Sequence, residues 1–142
     1  MKLIGFDYGR RRIGISVTDE TGTFVRSLPV VDRKLHTDGI SAILEIIAKE
    51  EPGKIVFGLP LAPDDSETLM SKEIRVFAQT LSLKIAIPID FIDESLTSKR
   101  ASDIIRMRKK KHRQAKENVD KVAACLILEA YLQQENKCEN FL

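Results

Sequence analysis

The sequence predicts an α/β domain in which helices flank one mixed five-stranded sheet. Its first part contains three strand-like segments joined by short turns, which is the pattern of an antiparallel meander. The remainder alternates between helical and strand-like periods, as expected where helices pack on the faces of a sheet. The chain has 142 residues, of which 43% are hydrophobic. We therefore expect a single domain over residues 1–142.

The predicted strands are short apolar or alternating segments bounded by turn signals, and they span residues 2–7, 13–18, 23–31, 54–59 and 84–93. Pro88 interrupts the last of them, which favours an edge strand or a bulge. The predicted helices have apolar residues at helical spacing, and they span residues 38–50, 67–82, 98–108 and 118–134. We expect Thr37 or Asp38 to cap the first helix, Asn118 to cap the last, and residues 135–142 to form a frayed tail.

Positive charge is concentrated in two places, although the formal net charge is only +2. Arg10, Arg11 and Arg12 follow the first strand, and residues 106–113 contain six Lys or Arg and one His. Clusters of this kind bind nucleic-acid phosphates by releasing condensed counterions, so nucleic acid is the expected partner. A loop that is merely solvated remains the alternative for the second cluster.

Several classes of protein are not expected from the sequence. No apolar segment is long enough to cross a bilayer, and Asp7 interrupts the apolar stretch near the N-terminus, so neither a membrane span nor a signal peptide is predicted. Cys125 and Cys138 lack metal-site spacing and are expected to be reduced thiols of a cytoplasmic protein. The sequence contains no HExxH, CxxC or GxxxxGK[ST] motif, which argues against zinc and P-loop chemistry.

Acidic residues at two predicted strand ends are candidates for a metal site. Asp7 ends the first strand near Gly9, where another backbone or a phosphate can approach closely. An ionised carboxylate there needs a partner, which is a divalent cation, an arginine of residues 10–12, or the Tyr8-Gly9 turn that the carboxylate would cap. Asp93 and Glu94 end the fifth strand, and only one of them should face a shared site because adjacent strand residues point to opposite faces. The alternative is that both merely favour the start of the next helix.

Asp120 is the third acidic candidate. It shares the apolar stripe of the last predicted helix with residues 123, 124, 127, 128 and 131. An acidic residue on a buried face needs a partner, and Lys121 lies off the stripe. A metal ion shared with the other carboxylates is one interpretation, and a favourable interaction with the helix start is the other. Carboxylate ligands suit Mg²⁺ or Mn²⁺, and a pair of such ions can promote phosphodiester hydrolysis.

Four segments resemble, in order, the motifs of the YqgF/RuvX family. They are FDYGRRRIGISVTD at residues 6–19, VFGLPL at residues 56–61, DESLTS at residues 93–98 and DKVAACLILEAYL at residues 120–132. Each motif alone is unspecific, but four in the same order over nearly the whole chain are specific.

The resemblance implies an RNase H-like fold, related to the RuvC Holliday junction resolvases, and a nuclease that matures the 5′ end of pre-16S rRNA. It implies that the catalytic, metal-binding acids are Asp7, Glu94 and Asp120, with Asp93 as the alternate to Glu94, and that they hold two Mg²⁺ or Mn²⁺ ions. An association with the ribosome would follow from such a role. We expect nucleic acid to contact the basic residues Arg10, Arg11, Arg12, Arg100, Arg108, Lys109, Lys110, Lys111 and Arg113.

The sequence departs from the family pattern at two positions. The third motif usually has Arg after the acidic pair, whereas this chain has Ser95. The loop after the second motif usually contains an Asp-Gly step, whereas this chain has Pro-Asp-Asp-Ser at residues 63–66. Arg binds phosphate through a bidentate fork that Ser lacks, so substrate positioning must differ here, with Arg100 as a candidate substitute.

Two other interpretations remain open at this point. RNase H-like domains also occur as catalytically silent nucleic-acid-binding modules, but those usually lose an acid, and every candidate position here keeps one. Nucleotide-binding folds of the actin and sugar-kinase kind also use an Asp-x-Gly turn, but they need two lobes. The choice between structured RNA and branched DNA, and between monomer and dimer, also stays open.

Overall fold

The computed structural model describes residues 1–35, 38–93 and 115–140, and it describes side chains in all of these except residues 115–120 and 136–140. The strands in this part of the chain are β1 (Leu3–Asp7), β2 (Arg12–Thr18), β3 (Val25–Asp32), β4 (Lys54–Leu59) and β5 (Ile89–Asp93). The helices are α1 (Ile40–Glu50), α2 (Leu69–Ser82) and α3 (Ala115–Asn140).

The five strands form one mixed sheet with the order β3-β2-β1-β4-β5. Strands β1, β2 and β3 pair antiparallel, whereas β4 pairs parallel with both β1 and β5. The predicted meander followed by αβ units is therefore confirmed. Because β1, β4 and β5 run in the same direction, they all end at one edge of the sheet, at Asp7, Leu59 and Asp93. We call this the carboxyl edge.

Helices cover both faces of the sheet. Helices α1 and α2 pack on one face, where the main core contains Ile4, Phe6, Ile15, Ile55 and Phe57 together with Ile43, Ile47, Ile74, Phe77 and Leu81. Helix α3 packs on the other face, where Leu3, Val56 and Ile92 meet Ile127, Leu128 and Tyr131. Strands β1 and β4 are thus buried on both faces, which explains why they are almost continuously apolar.

Helix α3 lies very close to β1 and β2. A Cβ atom at Gly5 would lie 2.7 Å from Leu128 Cγ, so only glycine allows the helix to approach this closely. The Ser16 hydroxyl donates a hydrogen bond to the carbonyl of Ala124 at 2.6 Å. The close approach at Gly5 and the hydrogen bond from Ser16 to Ala124 position α3 on the sheet.

Tyr131 holds the later part of α3 against the amino ends of the parallel strands. Its hydroxyl donates to Asp90 Oδ2 at 2.7 Å and accepts from Lys54 Nζ at 2.9 Å. Burial raises the pKa of Tyr131 to about 12; Lys54 opposes this shift and Asp90 adds to it. Since Lys54 pairs with Leu3 at the start of β1, while Leu128 lies over Gly5, α3 runs antiparallel to β1.

Three predicted boundaries, in two elements, are wrong. Strand β5 begins at Ile89 rather than at residue 84, because Pro88 has no N–H to donate to a neighbouring strand; its carbonyl still accepts from the Ile55 N–H at 3.0 Å. The expected edge position of this strand is confirmed. Helix α3 begins at Ala115 and continues to Asn140, so Asn118 is not its cap and residues 135–140 are helical. Lys and Glu, which are good helix formers, occur in both added segments, at residues 115–117 and 135–140.

The remaining helix boundaries lie close to the predicted ones. Asp38 Oδ1 accepts the N–H of Ile40 at 3.0 Å, so Asp38 satisfies an amide at the start of α1, although the cap position itself is Gly39 with φ 82°. Thr68 caps α2 through the N–H of Ser71. Thr37 and the predicted helix over residues 98–108 lie outside the described residues.

No helix within the described ranges is long and apolar enough to cross a membrane.

Candidate active site

Asp7 is the last residue of β1 and lies half-buried at the carboxyl edge. Side chains alternate between the two faces along a strand. In β1, Leu3 packs with the core beneath α3, and Gly5 lies beneath Leu128. Asp7 continues this series, so its carboxylate belongs to the face that carries α3. Tyr8 follows on the opposite face, where its ring packs against Phe77.

Position 120 lies in the part of α3 that extends toward this edge. Residues 120, 124 and 128 are spaced four apart and so follow one another along one face of the helix. Leu128 lies above Gly5, and position 120 is two helical turns, about 12 Å, away from Leu128. Because α3 runs antiparallel to β1, this step along the helix leads in the direction from Gly5 to Asp7. The backbone therefore brings position 120 to the same edge and the same face as Asp7.

The start of α3 at Ala115 also bears on the alternative interpretation of Asp120. With this start, Asp120 lies in the second turn of the helix rather than in the first. The favourable effect of the helix dipole on a carboxylate falls off within the first turn. An interaction with the helix terminus is therefore a weaker explanation for an acidic residue at this position than the sequence alone indicates.

Asp93 ends β5 at the carboxyl edge but belongs to the other face of the sheet. Along β5, Asp90 and Ile92 face α3, as the hydrogen bond from Tyr131 and the packing of Ile92 in the core beneath α3 show. Phe91 packs against the core on the opposite face. Strand alternation places Asp93 with Phe91, away from Asp7. Glu94, the favoured member of the pair, lies outside the described residues.

The arginines of the β1–β2 turn are engaged with acidic residues but are accessible. Arg10 Nε lies 3.3 Å from Glu73 Oε1 of α2, and Arg11 Nε lies 3.5 Å from Asp32 Oδ1. The side chains of Arg10 and Arg11 are 68% and 58% exposed. Ion pairs this exposed contribute little to stability, so a phosphate group can replace the carboxylate at small cost.

Of the other predicted nucleic-acid-binding residues, Arg12 is the half-buried first residue of β2. The remaining ones lie outside the described residues, as does Ser95; they are Arg100, Arg108, Lys109, Lys110, Lys111 and Arg113. The ends of the segment that contains them are located. Before this segment, Asp93 ends β5 at the carboxyl edge. After it, α3 begins at Ala115, which is further from Leu128 along the helix than position 120 is.

Sequence reasoning missed Arg33, which packs behind the turn that follows Asp7. Its guanidinium carbon lies 5.0 Å from the centre of the Tyr8 ring and 5.5 Å from that of Phe77. Burial raises the pKa of the Tyr8 hydroxyl; the nearby Arg33 opposes the shift and Glu73 adds to it. No local pattern marks Arg33, because its partners are distant in the sequence: Tyr8 follows β1, and Phe77 lies in α2.

Of the three predicted metal ligands, Asp7 is the one whose side chain the structure describes. Among the side chains described in residues 1–35, 38–93 and 121–135, no group of three His, Cys, Asp or Glu is placed to hold a metal ion. Two of the three predicted ligands, Glu94 and Asp120, are not among those side chains. The metal site formed by Asp7, Glu94 and Asp120 therefore stays a prediction, and its all-carboxylate donor set fits Mg²⁺ or Mn²⁺.

Comparison with known protein families identifies the chain's family. Residues 1–134 match the model of the RuvX family, which is described as a Holliday junction resolvase. The chain belongs to the RuvX family. A relative from Maridesulfovibrio salexigens is 36% identical over 132 residues, which cover 93% of this chain and 98% of the relative. A second, from Syntrophus aciditrophicus, is 35% identical and covered over 88% of its length. Both are named "Putative pre-16S rRNA nuclease".

Solved structures confirm the RNase H-like fold expected of a RuvX protein. The RuvC structure from Thermus thermophilus superposes with a TM-score of 0.58 at 14% identity, covering 96% of this chain and 97% of that one. The fowlpox virus resolvase, solved with Holliday junction DNA, gives a TM-score of 0.58 at 10% identity, covering 94% and 98% of the two chains. The expectations of a nuclease and of a nucleic-acid partner are confirmed at the level of the family, whose members bear nuclease names.

Proposed function

We propose that this RuvX-family chain is a metal-dependent endonuclease that processes the 5′ end of pre-16S rRNA. The observation that supports it most is that Asp7 ends β1 on the face that carries α3, and that the backbone of α3 runs from above Gly5 toward the edge where Asp7 lies. The choice of substrate rests on the relatives, which are at least 35% identical and named for pre-16S rRNA. Such an enzyme would act in the cytoplasm in association with ribosome assembly.

The metal ligands in this proposal are Asp7, Glu94 and Asp120. Glu94 is preferred to Asp93 because the alternation of β5 assigns Asp93 to the face opposite Asp7. The ligands are all carboxylates, and the proposed ions are a pair of Mg²⁺ or Mn²⁺. Paired ions of this type activate water and stabilise the attacking and leaving oxygens of a phosphodiester displacement.

The role of the chain's own basic residues is to hold the substrate backbone at the carboxyl edge. Arg10 and Arg11 lie in the turn directly after Asp7, and their exposed ion pairs can exchange for phosphate interactions. The basic cluster at residues 106–113 lies in the segment that joins β5 to α3. Because phosphate recognition is independent of base sequence, selection of the cleavage site must come from the shape of the RNA.

A second candidate function is cleavage of four-way DNA junctions. The description of the matching family as a Holliday junction resolvase favours it. A four-way junction has two-fold symmetry, so a resolvase is expected to act as a symmetric dimer, whereas an rRNA-processing enzyme need not. The two candidates share the same carboxylates and differ in substrate and assembly.

A cleavage assay separates these candidates. The purified chain is incubated with Mg²⁺ or Mn²⁺ and either an RNA that contains the 5′ leader of 16S rRNA or a four-way DNA junction. We expect the RNA to be cut at a defined site, and we expect EDTA, Asp7→Asn and Asp120→Asn each to abolish cutting. Asp19→Asn is the matched control, because Asp19 follows β2 at the opposite edge and only organises a turn through Thr21 and Thr23.

The outcomes of this assay have distinct meanings. Preferential cutting of the junction would replace the rRNA proposal with the resolvase function. Binding of RNA without any cutting under all metal conditions would identify a catalytically silent module. Full activity of the Asp7→Asn variant would remove the proposed site.

A further inference from the structure

Arg33 anchors the turn that follows Asp7, although it is 24 residues beyond Gly9 in the sequence. Its Nη1 donates a hydrogen bond to the Gly9 carbonyl at 3.1 Å, and its backbone N–H donates to the Arg11 carbonyl at 2.8 Å. The turn itself is tight, since a Cβ at Gly9 would lie 2.4 Å from the Arg12 carbonyl oxygen. The end of β3 thus holds the turn at two carbonyl groups.

The Arg33 guanidinium is fixed by two aromatic rings. It lies over Tyr8 and Phe77, whose ring centres are 4.9 Å apart. Its Nε is buried and has no hydrogen-bond acceptor among the described residues. A planar guanidinium can stack on these rings while donating to a carbonyl at its edge, which the ammonium of lysine cannot do in the same position.

Tyr8 connects Arg33 to the carboxylate of Asp7. The two residues Asp7 and Tyr8 are adjacent, so their side chains leave the backbone on opposite faces of the sheet. The Tyr8 ring packs against both Arg33 and Phe77 on one face, and the Gly9 carbonyl accepts a hydrogen bond from Arg33, so both residues that follow Asp7 are held in position. A carboxylate that binds an ion must be held within about 0.5 Å of its required position.

We infer that Arg33 is a positioning residue that acts through Tyr8 and Gly9 to hold the Asp7 carboxylate in place for a divalent ion. Arg33 lies with Tyr8 and Phe77 on the face opposite α3, so it would act on Asp7 through the turn and not by binding the ion itself. This inference rests on the proposed function, because that function makes Asp7 a ligand of the divalent ion.

The test is a measurement of Mn²⁺ affinity on the full chain, with free Mn²⁺ detected by electron paramagnetic resonance. Arg33→Lys keeps the charge but loses the planar fork, and Arg33→Met keeps only the apolar stem. We expect both to raise the Kd for Mn²⁺ about 10- to 100-fold, the range found for residues that orient metal ligands. kcat should fall by a similar factor while KM for RNA changes less. Arg26→Lys and Arg26→Met are the controls, because Arg26 lies on β3, the strand that Arg33 directly follows, and pairs with Glu50 at 3.1 Å.

Each outcome decides between the inference and the function on which it rests. If Asp7→Asn weakens Mn²⁺ binding but folded Arg33 variants bind Mn²⁺ as the wild type does, the positioning role is wrong and the proposed function stands. If the wild type does not bind Mn²⁺, or Asp7→Asn binds it unchanged, the proposed function and the role of Arg33 are both wrong. An Arg33→Lys chain that fails to fold would make Arg33 a general determinant of the fold and would also overturn the positioning role.

Discussion

At the scale of single residues, the face of the sheet determines which acidic side chains can act together. Asp7 belongs to the face beneath α3, while Asp93 belongs to the opposite face with Phe91. A carboxylate on the wrong side of a strand cannot reach a shared ion without reversing the strand's alternation. We therefore expect Asp93 not to share an ion with Asp7.

This assignment predicts unequal effects of two neighbouring substitutions. Glu94→Gln should reduce cleavage by more than the roughly 10- to 100-fold that supporting residues contribute at metal sites. Asp93→Asn should change cleavage only a few-fold, because its side chain lies on the other face. Steady-state kinetics on the two purified variants gives the answer. Similar, mild losses from both would mean that the acidic pair only stabilises the start of a following helix.

The sequence marks the acidic candidates more clearly than the residues that surround them. Asp7 is recognisable because a carboxylate at the end of a buried strand needs a partner, and Asp120 because it interrupts an apolar stripe. Arg33 is not recognisable, because its environment is created by Tyr8 and Phe77, which come from a distant strand and helix. An environment of this kind depends on tertiary packing and leaves no local pattern in the chain.

At the scale of elements, the close packing of α3 on the sheet controls where Asp120 lies. Gly5→Ala would place a Cβ 2.7 Å from both Leu128 Cγ and Ser16 Oγ. Overpacking of this kind typically costs about 1–3 kcal/mol, and moving the helix away from β1 also moves position 120 relative to Asp7. We expect both the free energy of unfolding and the cleavage rate to fall, measured by urea denaturation and by the RNA assay.

Gly53→Ala is the matched control for this substitution. A Cβ at Gly53 would meet the flexible side chain of Met1 at the opposite edge of the sheet, so stability should change by no more than about 0.5 kcal/mol and cleavage should not change. A Gly5→Ala variant that loses stability but keeps full activity would show that the position of α3 does not matter for catalysis.

Element boundaries illustrate what periodicity can and cannot predict. Strand β4 matches its prediction over residues 54–59 because both of its faces are buried and every residue is constrained. The prediction for β5 is too long at its start, since apolar residues alternate through 84–88 whereas Pro88 prevents pairing there. The prediction for α3 is too short, because the terminal turns of this helix depend on helix propensity rather than on burial.

At the scale of the whole molecule, positive and negative residues are nearly equal in number, but the positive residues are concentrated in local clusters. The chain has 23 Lys and Arg against 21 Asp and Glu, so binding to nucleic acid must depend on local clusters. Replacing Lys109, Lys110 and Lys111 with Ala should reduce the slope of log K against log salt by roughly 0.7–0.9 for each phosphate that the variant no longer neutralises. Turnover at saturating substrate should change little, because these lysines bind the ground state and the transition state alike.

A salt titration of RNA binding tests this prediction. Lys2, Lys49 and Lys84 provide the matched triple substitution, since they lie toward the amino ends of β1, β4 and β5, away from the carboxyl edge. Equal slopes for the wild type and the Lys109–Lys111 variant would mean that the cluster is only a solvated loop. Substrate binding would then have to depend on Arg10, Arg11 and Arg12.

The central claim is that Asp7, Glu94 and Asp120 form one metal site, and a crystal structure grown with Mn²⁺ tests it most directly. Anomalous scattering locates each ion independently of the protein atoms. The account predicts a pair of ions about 4 Å apart, with oxygens of all three carboxylates within about 2–2.5 Å of an ion. An Asp120 carboxylate turned to solvent, with no anomalous peak beside Asp7, would contradict it.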